Sequence, residues 1–152
     1  MKRTWNDTDF DEMSWHDNAV HGLRLIEGKY GCGDIVLDLD HILEWLPSET
    51  GGFQFRIAPA ELTFHDASSL RVSLDYAAAS ATLSPFSIHQ IRFEPMSYVG
   101  GAQGRRWTIE VNWPKGEVTF EAPRFTQVLT GSATLSECQH LSAEQRRQLR
   151  DA

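Results

Sequence analysis

Along most of this chain, apolar and polar residues alternate with a period of two. In Ile35-Val36-Leu37-Asp38-Leu39-Asp40 the odd positions are apolar, while Asp38 and Asp40 point the other way. Phe53-Gln54-Phe55-Arg56-Ile57, Leu62-Thr63-Phe64-His65 and the run from Leu70 to Tyr76 repeat the pattern. The run from Trp107 to Trp113 is the cleanest case, and Val118-Thr119-Phe120-Glu121 follows it. Successive side chains of a strand leave on opposite faces, so such alternation predicts antiparallel strands with one buried and one wet face.

Turn-forming residues punctuate these runs. Glu27 to Gly33 and Pro47 to Gly52 separate strands, and Trp113-Pro114-Lys115-Gly116-Glu117 predicts a tight hairpin, with Pro opening the turn and Gly closing it. Eight or nine short strands joined in this way predict a mainly β fold. The expected architecture is an antiparallel meander forming a β-sandwich or a partly closed barrel. Two connections are longer. Residues 77–85 are small and weakly patterned and read as a loop or one short helical turn, and Pro95 to Gly104 reads as a mobile loop. The strand pattern resumes unchanged after each, so residues 1–152 are expected to form a single domain.

One short helix is expected at the C-terminal end. Ser142-Ala143-Glu144-Gln145 has the form of a capping box, and Glu144 and Arg150 suit the two ends of the helix dipole. Its chief apolar residue is Leu149, which predicts loose packing on the surface. The segment Asp40 to Leu46 reads two ways: as a helical turn through Ile42, Leu43 and Leu46, or as a continued strand. The strand reading puts Leu39, His41, Leu43 and Trp45 on one face, and lines up Asp38, Asp40 and Glu44 on the other.

Composition narrows the functional classes. The hydrophobic share of 41% supports a packed core and argues against disorder. The net charge of −7 repels phosphate backbones, which excludes non-specific nucleic-acid binding and favours a basic protein partner. Cys32 and Cys138 form no disulfide framework or metal knuckle and suit a reducing, cytoplasmic compartment. No apolar run approaches the length of a signal peptide core or a membrane span.

Chemistry is concentrated in two stretches, Trp15-His16-Asp17-Asn18-Ala19-Val20-His21-Gly22 and Asp38-Leu39-Asp40-His41-Ile42-Leu43-Glu44-Trp45. Three His with a carboxylate would suit zinc, and carboxylate-richer sets would suit manganese or non-haem iron. The spacing matches no His-Glu-x-x-His or zinc-finger pattern, so no metal or other cofactor is assigned. His16-Asp17 is a poor acid–base dyad in a strand, where neighbours point apart, and no nucleophile elbow accompanies it. The glycines from Gly100 to Gly104 precede a strand rather than a helix, which removes the phosphate-loop reading.

The string from Ser14 to Leu23, leading into Ile35, Leu37 and Leu39, resembles the N-terminal opening of small bacterial β-rich proteins that are immunity-protein-like. Such proteins accompany toxins of polymorphic secretion systems. The resemblance implies a bacterial, cytosolic, non-enzymatic domain and transfers no residue role. The leading expectation is therefore a protein-binding module. Its binding residues are Trp15, His16, Asp17, His21, Asp40, His41, Glu44 and Trp45, with exposed Trp as anchor and carboxylates as rim. The alternative is a small metal-dependent or ligand-binding enzyme using the same cluster. A third expectation is a homodimer formed through an edge strand such as Phe125 to Thr130.

Overall fold

The computed structural model describes residues 1–78 and 82–151. Among these residues nine strands and one α-helix follow in order: β1 (Thr4–Asn6), β2 (Ala19–Glu27), β3 (Gly33–Pro47), β4 (Phe53–Leu74), β5 (Phe86–Ser97), β6 (Gln103–Trp113), β7 (Gly116–Glu121), β8 (Arg124–Leu129), β9 (Thr134–Ser136) and α1 (Ala143–Asp151). A 3-10 turn, Asp7–Glu12, follows β1. The expected mainly antiparallel β architecture and the short C-terminal helix are both present.

All the strands belong to one sheet, in the order β1-β8-β4-β3-β2-β5-β6-β7, with β9 paired to β4 off this path. Because β7 also pairs with β4, the pairing runs round in a ring. The order departs from a plain meander, since β2 reaches β5, and β4 reaches both β7 and β8. One long strand makes this possible. The three alternating runs at Phe53–Ile57, Leu62–His65 and Leu70–Tyr76 were expected as separate strands. The 22 residues of β4 absorb the first two and most of the third. It bends where Asp66 and Ser69 take positive φ, with a bulge between Ser68 and Arg71. Up to Ala67 it pairs with β3, and beyond the bend it pairs with β7.

The inner face of the ring holds the core. Leu37, Leu39, Leu62, Phe64, Ile88, Trp107, Ile109, Phe120 and Phe125 have no more than 1% of their surface exposed. Phe10, delivered by the 3-10 turn, packs against Trp15, Phe93, Trp107 and Phe125. Half of the loop expected over Pro95–Gly104 is strand. Only Tyr98 to Ala102 turn, closed by a Tyr98 N–H to Ala102 carbonyl bond of 2.8 Å. Tyr98 lies over Gly104, where a Cβ would strike its ring. Residues 79–81 of the other long connection lie outside the described residues.

Two further expectations are corrected. The run Phe125–Thr130 is not a free edge over most of its length, because β8 is flanked by β4 on one side and by β1 on the other. The C-terminal helix does not pack loosely. Its Arg146 is 4% exposed, and Leu141 just before it is fully buried against Ile42, Phe55 and Ile57, with Leu149 alongside. No helix among the described residues is long and apolar enough to cross a membrane.

Candidate functional site

The segment Asp40–Leu46 is strand, with a bulge between Ile42 and Glu44. That bulge decides which side chains meet. Ile42 lies opposite Ile57, and two strand positions further along β4, Phe55 lies opposite Trp45. Ile42 and Trp45 therefore share the outer face, with Phe55 and Ile57. Glu44 pairs with Arg56 on the opposite face, its Oε1 accepting from Arg56 Nε at 3.2 Å. The expected row of Asp38, Asp40 and Glu44 is broken: only Asp38 and Asp40 remain together.

Those two carboxylates are not a wet face. Arg146 of α1 spans both, donating Nη1 to Asp40 and Nη2 to Asp38. Arg150, one helical turn on, donates to the same Asp38 oxygen at 2.9 Å. Asp40 is completely buried and also accepts from His21 Nε2 at 2.7 Å and from the Leu141 N–H at 2.8 Å. The capping box that starts the helix is formed as the sequence suggests, with Gln145 N–H donating to Ser142 Oγ at 3.2 Å and Ser142 N–H to Gln145 Oε1 at 2.8 Å. Asp38, Asp40 and His21 thus hold the C-terminal segment and are not free to bind a partner.

Trp15 and His41 also leave the expected surface. Trp15 is 3% exposed, and its indole N–H donates to Gln127 Oε1 at 2.8 Å. His41 faces inward, its Nδ1 accepting from Asn18 Nδ2 at 2.9 Å, with Trp5 edge-on at 5.4 Å. Burial lowers the His41 pKa to about 4, so the ring is neutral near pH 7. An unfolded chain takes up that proton near pH 6.5, and the folded chain refuses it until about 4. The His41 contribution is complete above pH 6.5 and is lost as pH falls towards 4. Between pH 7.5 and 4.5 it amounts to about 2–3 kcal/mol. Urea unfolding at the two pH values should show His41→Gln losing that much less stability than the parent protein. Equal losses would remove His41 as the cause.

What stays on the surface forms a smaller cluster. His16 stacks on Trp45, ring centroids 6.0 Å apart at 20°. Trp45 is 39% exposed and meets Phe53, 51% exposed, at 5.7 Å, with Phe55 beneath at 4.9 Å. His16 Nδ1 donates to the His89 carbonyl at 3.0 Å, and the two imidazoles lie edge-on at 5.5 Å. His16, His89 and Asp11 line a cleft of about 290 Å³ beside this cluster. Asp17, with φ of 64°, accepts from Asn112 at 2.7 Å and Gln139 at 2.9 Å, and its Oδ2 is 3.5 Å from His16 Nε2.

The three histidines of the sequence cluster therefore go to three places: His16 to the surface, His21 to Asp40 under the helix, and His41 to the interior. Among the described residues no three His, Cys, Asp or Glu side chains converge as metal ligands do. Phe53, His89 and Arg146 are the site residues that sequence reasoning missed. Phe53 was accessible from the hairpin register, since it stands two places from the residue opposite Trp45. Arg146 and Arg150 sit at the i, i+4 spacing that presents one helix face to the i, i+2 carboxylates of a strand. His89 carries no local signal. Compared with known proteins, the chain matches no family model, no curated protein and no solved structure.

Proposed function

We propose that this chain is a non-enzymatic protein-binding module and that it docks a basic partner through the His16–Trp45–Phe53–His89 surface. The observation that carries this reading is the half-exposed Trp45, held rigid between His16 and Phe55 while one side stays open. A large aromatic fixed in place loses little conformational entropy on binding and offers a wide apolar surface, which is how interface anchors work. Asp11 shares the adjoining cleft with His16 and His89, Asp17 is 3.5 Å from His16, and the protein carries a net charge of −7. A Lys or Arg of the partner would find both an aromatic face and a carboxylate there. In the immunity-like reading suggested by the N-terminal resemblance, that partner is a basic toxin.

The enzymatic alternative has no comparable support. Its residues are dispersed by the fold, and the buried carboxylate Asp40 is engaged by three donors. Partner capture compared across variants tests the proposal. Trp45→Ala with Phe53→Ala should weaken binding of a captured basic protein at least 30-fold, about 2 kcal/mol, without changing the melting temperature by more than a few degrees. Val99→Ala, fully exposed in the turn at the opposite end of β5 from His89, should leave it unchanged. Retained affinity in the double variant would sink the assignment.

A further inference from the structure

The ring of strands has an open seam beside β2. This strand pairs with β3 along its length, from Ala19 to Glu27, but meets β5 only at Ala19 and Val20. From Gly22 to Glu27 its other edge has no strand partner among the described residues. On that side β5 parts from β2 after Ser87; on the other side of the hairpin β4 stays paired with β3 as far as Gly33 and Ala67, bends at Asp66 and Ser69, and crosses to β7.

Between the hairpin and the β4 bend lies a cleft of about 380 Å³, lined by Leu25, Ile26, Ile35, Ala67, Leu70 and Cys32 among others. Leu25 lies opposite the buried Ile35, so it belongs to the core-facing side of the hairpin. It is nevertheless 63% exposed, and Ile26 is 45% exposed. A core-facing leucine in the open, next to an unpaired strand edge, is the arrangement that natural sheets avoid by charges, prolines or a covering loop. Here no proline interrupts Gly22 to Glu27, and of its two charges Arg24 is turned to the outer face, 3.7 Å from Glu61, while Glu27 stands at the strand's end.

We propose that the open edge of β2 is a strand-addition site for an extended segment of a partner protein, one with apolar side chains at every second position. The main chain of such a segment would pair with the backbone between Gly22 and Glu27. Its apolar side chains, pointing to one face, would cover Leu25 and enter the cleft. A second copy of this chain fits the edge less well. Each copy carries −7, and six residues of edge, about 20 Å, bury less than the roughly 1,200 Å² of a stable interface. This site is separate from the Trp45 surface and does not depend on it.

The test titrates the isotopically labelled full chain with a capped octapeptide of alternating Val and Lys. The expected result is a saturating set of amide shifts at Gly22–Glu27 and Ala67–Leu70, with slowed hydrogen exchange along Gly22–Glu27. The same peptide methylated on alternate backbone nitrogens should not bind, because it cannot complete the ladder. Leu25→Lys, at an exposed position that leaves the fold intact, should weaken the parent peptide at least tenfold. Equal binding by the methylated peptide, shifts confined to the Trp45 surface, or no saturation at millimolar peptide would each overturn the proposal. So would slowed exchange of the same amides when the protein alone is concentrated, which would make the occupant a second copy.

Discussion

Replacing Arg146 with Ala should cost about 3–5 kcal/mol of stability. The reason is what it leaves behind rather than the contact it removes. Asp40 is fully buried beneath the C-terminal segment, and Arg146 is the guanidinium that faces it. Without that partner a carboxylate stays in a low-dielectric site with His21 and one backbone N–H for company. Uncompensated buried charge is among the few single-residue defects with effects of this size. Asp40→Asn combined with Arg146→Met should recover at least half of the loss, since an amide carries no charge and still accepts from the Leu141 N–H. Urea midpoints of the parent, the single variant and the double variant decide the matter. A single-variant loss below 1 kcal/mol would mean that the helix rests on the surface, with the ion pair contributing nothing. The expected consequence reaches the outer face as well, because α1 and Leu141 cover Ile42, Phe55 and Ile57, and Phe55 supports Trp45.

The local periodicity of the chain marks β3 as far as its bulge, β4, β6 and β7, because alternation is written one residue at a time; β1, β5 and β9 carry no run that it picked out. The closing of the ring was not legible. It depends on β4 continuing through Asp66 and Ser69, where residues that look like turn-formers instead bend a strand and redirect it to β7. The site was half legible for a similar reason. The two stretches of His, Trp and carboxylates do lie together, but strand alternation predicted the wrong companions for Glu44. One bulged residue moves every side chain beyond it to the other face. The helix itself was legible from its capping box, but its close packing was not, because its apolar content is low and Arg150 fits the helix dipole without revealing a partner on a strand. Arg146 and Arg150 fasten it through charges on a strand more than a hundred residues away, a pairing no local pattern records.

Trp107→Ala is expected to cost about 3–5 kcal/mol, the upper range for truncating a core side chain. Trp107 is fully buried at the centre of an aromatic cluster, with Phe93 at 4.9 Å, Phe64 at 5.0 Å, Phe10 at 5.6 Å and Phe125 at 5.8 Å between ring centroids. Three of the four rings meet it at steep angles, placing ring edges on faces as the aromatic quadrupole favours. These partners come from the 3-10 turn and from β4, β5 and β8, so no single strand can move in to fill the space. The indole N–H also donates to the Ala122 carbonyl at 3.0 Å, beyond the end of β7, and its loss leaves that buried acceptor unpaired. Trp107→Phe separates the two effects. It keeps a ring among the phenylalanines and gives up the hydrogen bond, so it should cost about 1–3 kcal/mol. Unfolding followed by circular dichroism avoids relying on the tryptophan signal that the substitution changes. If Trp107→Ala costs less than 2 kcal/mol, the ring can collapse around the vacancy. Its interior would then be softer than the convergence of four elements on one side chain requires.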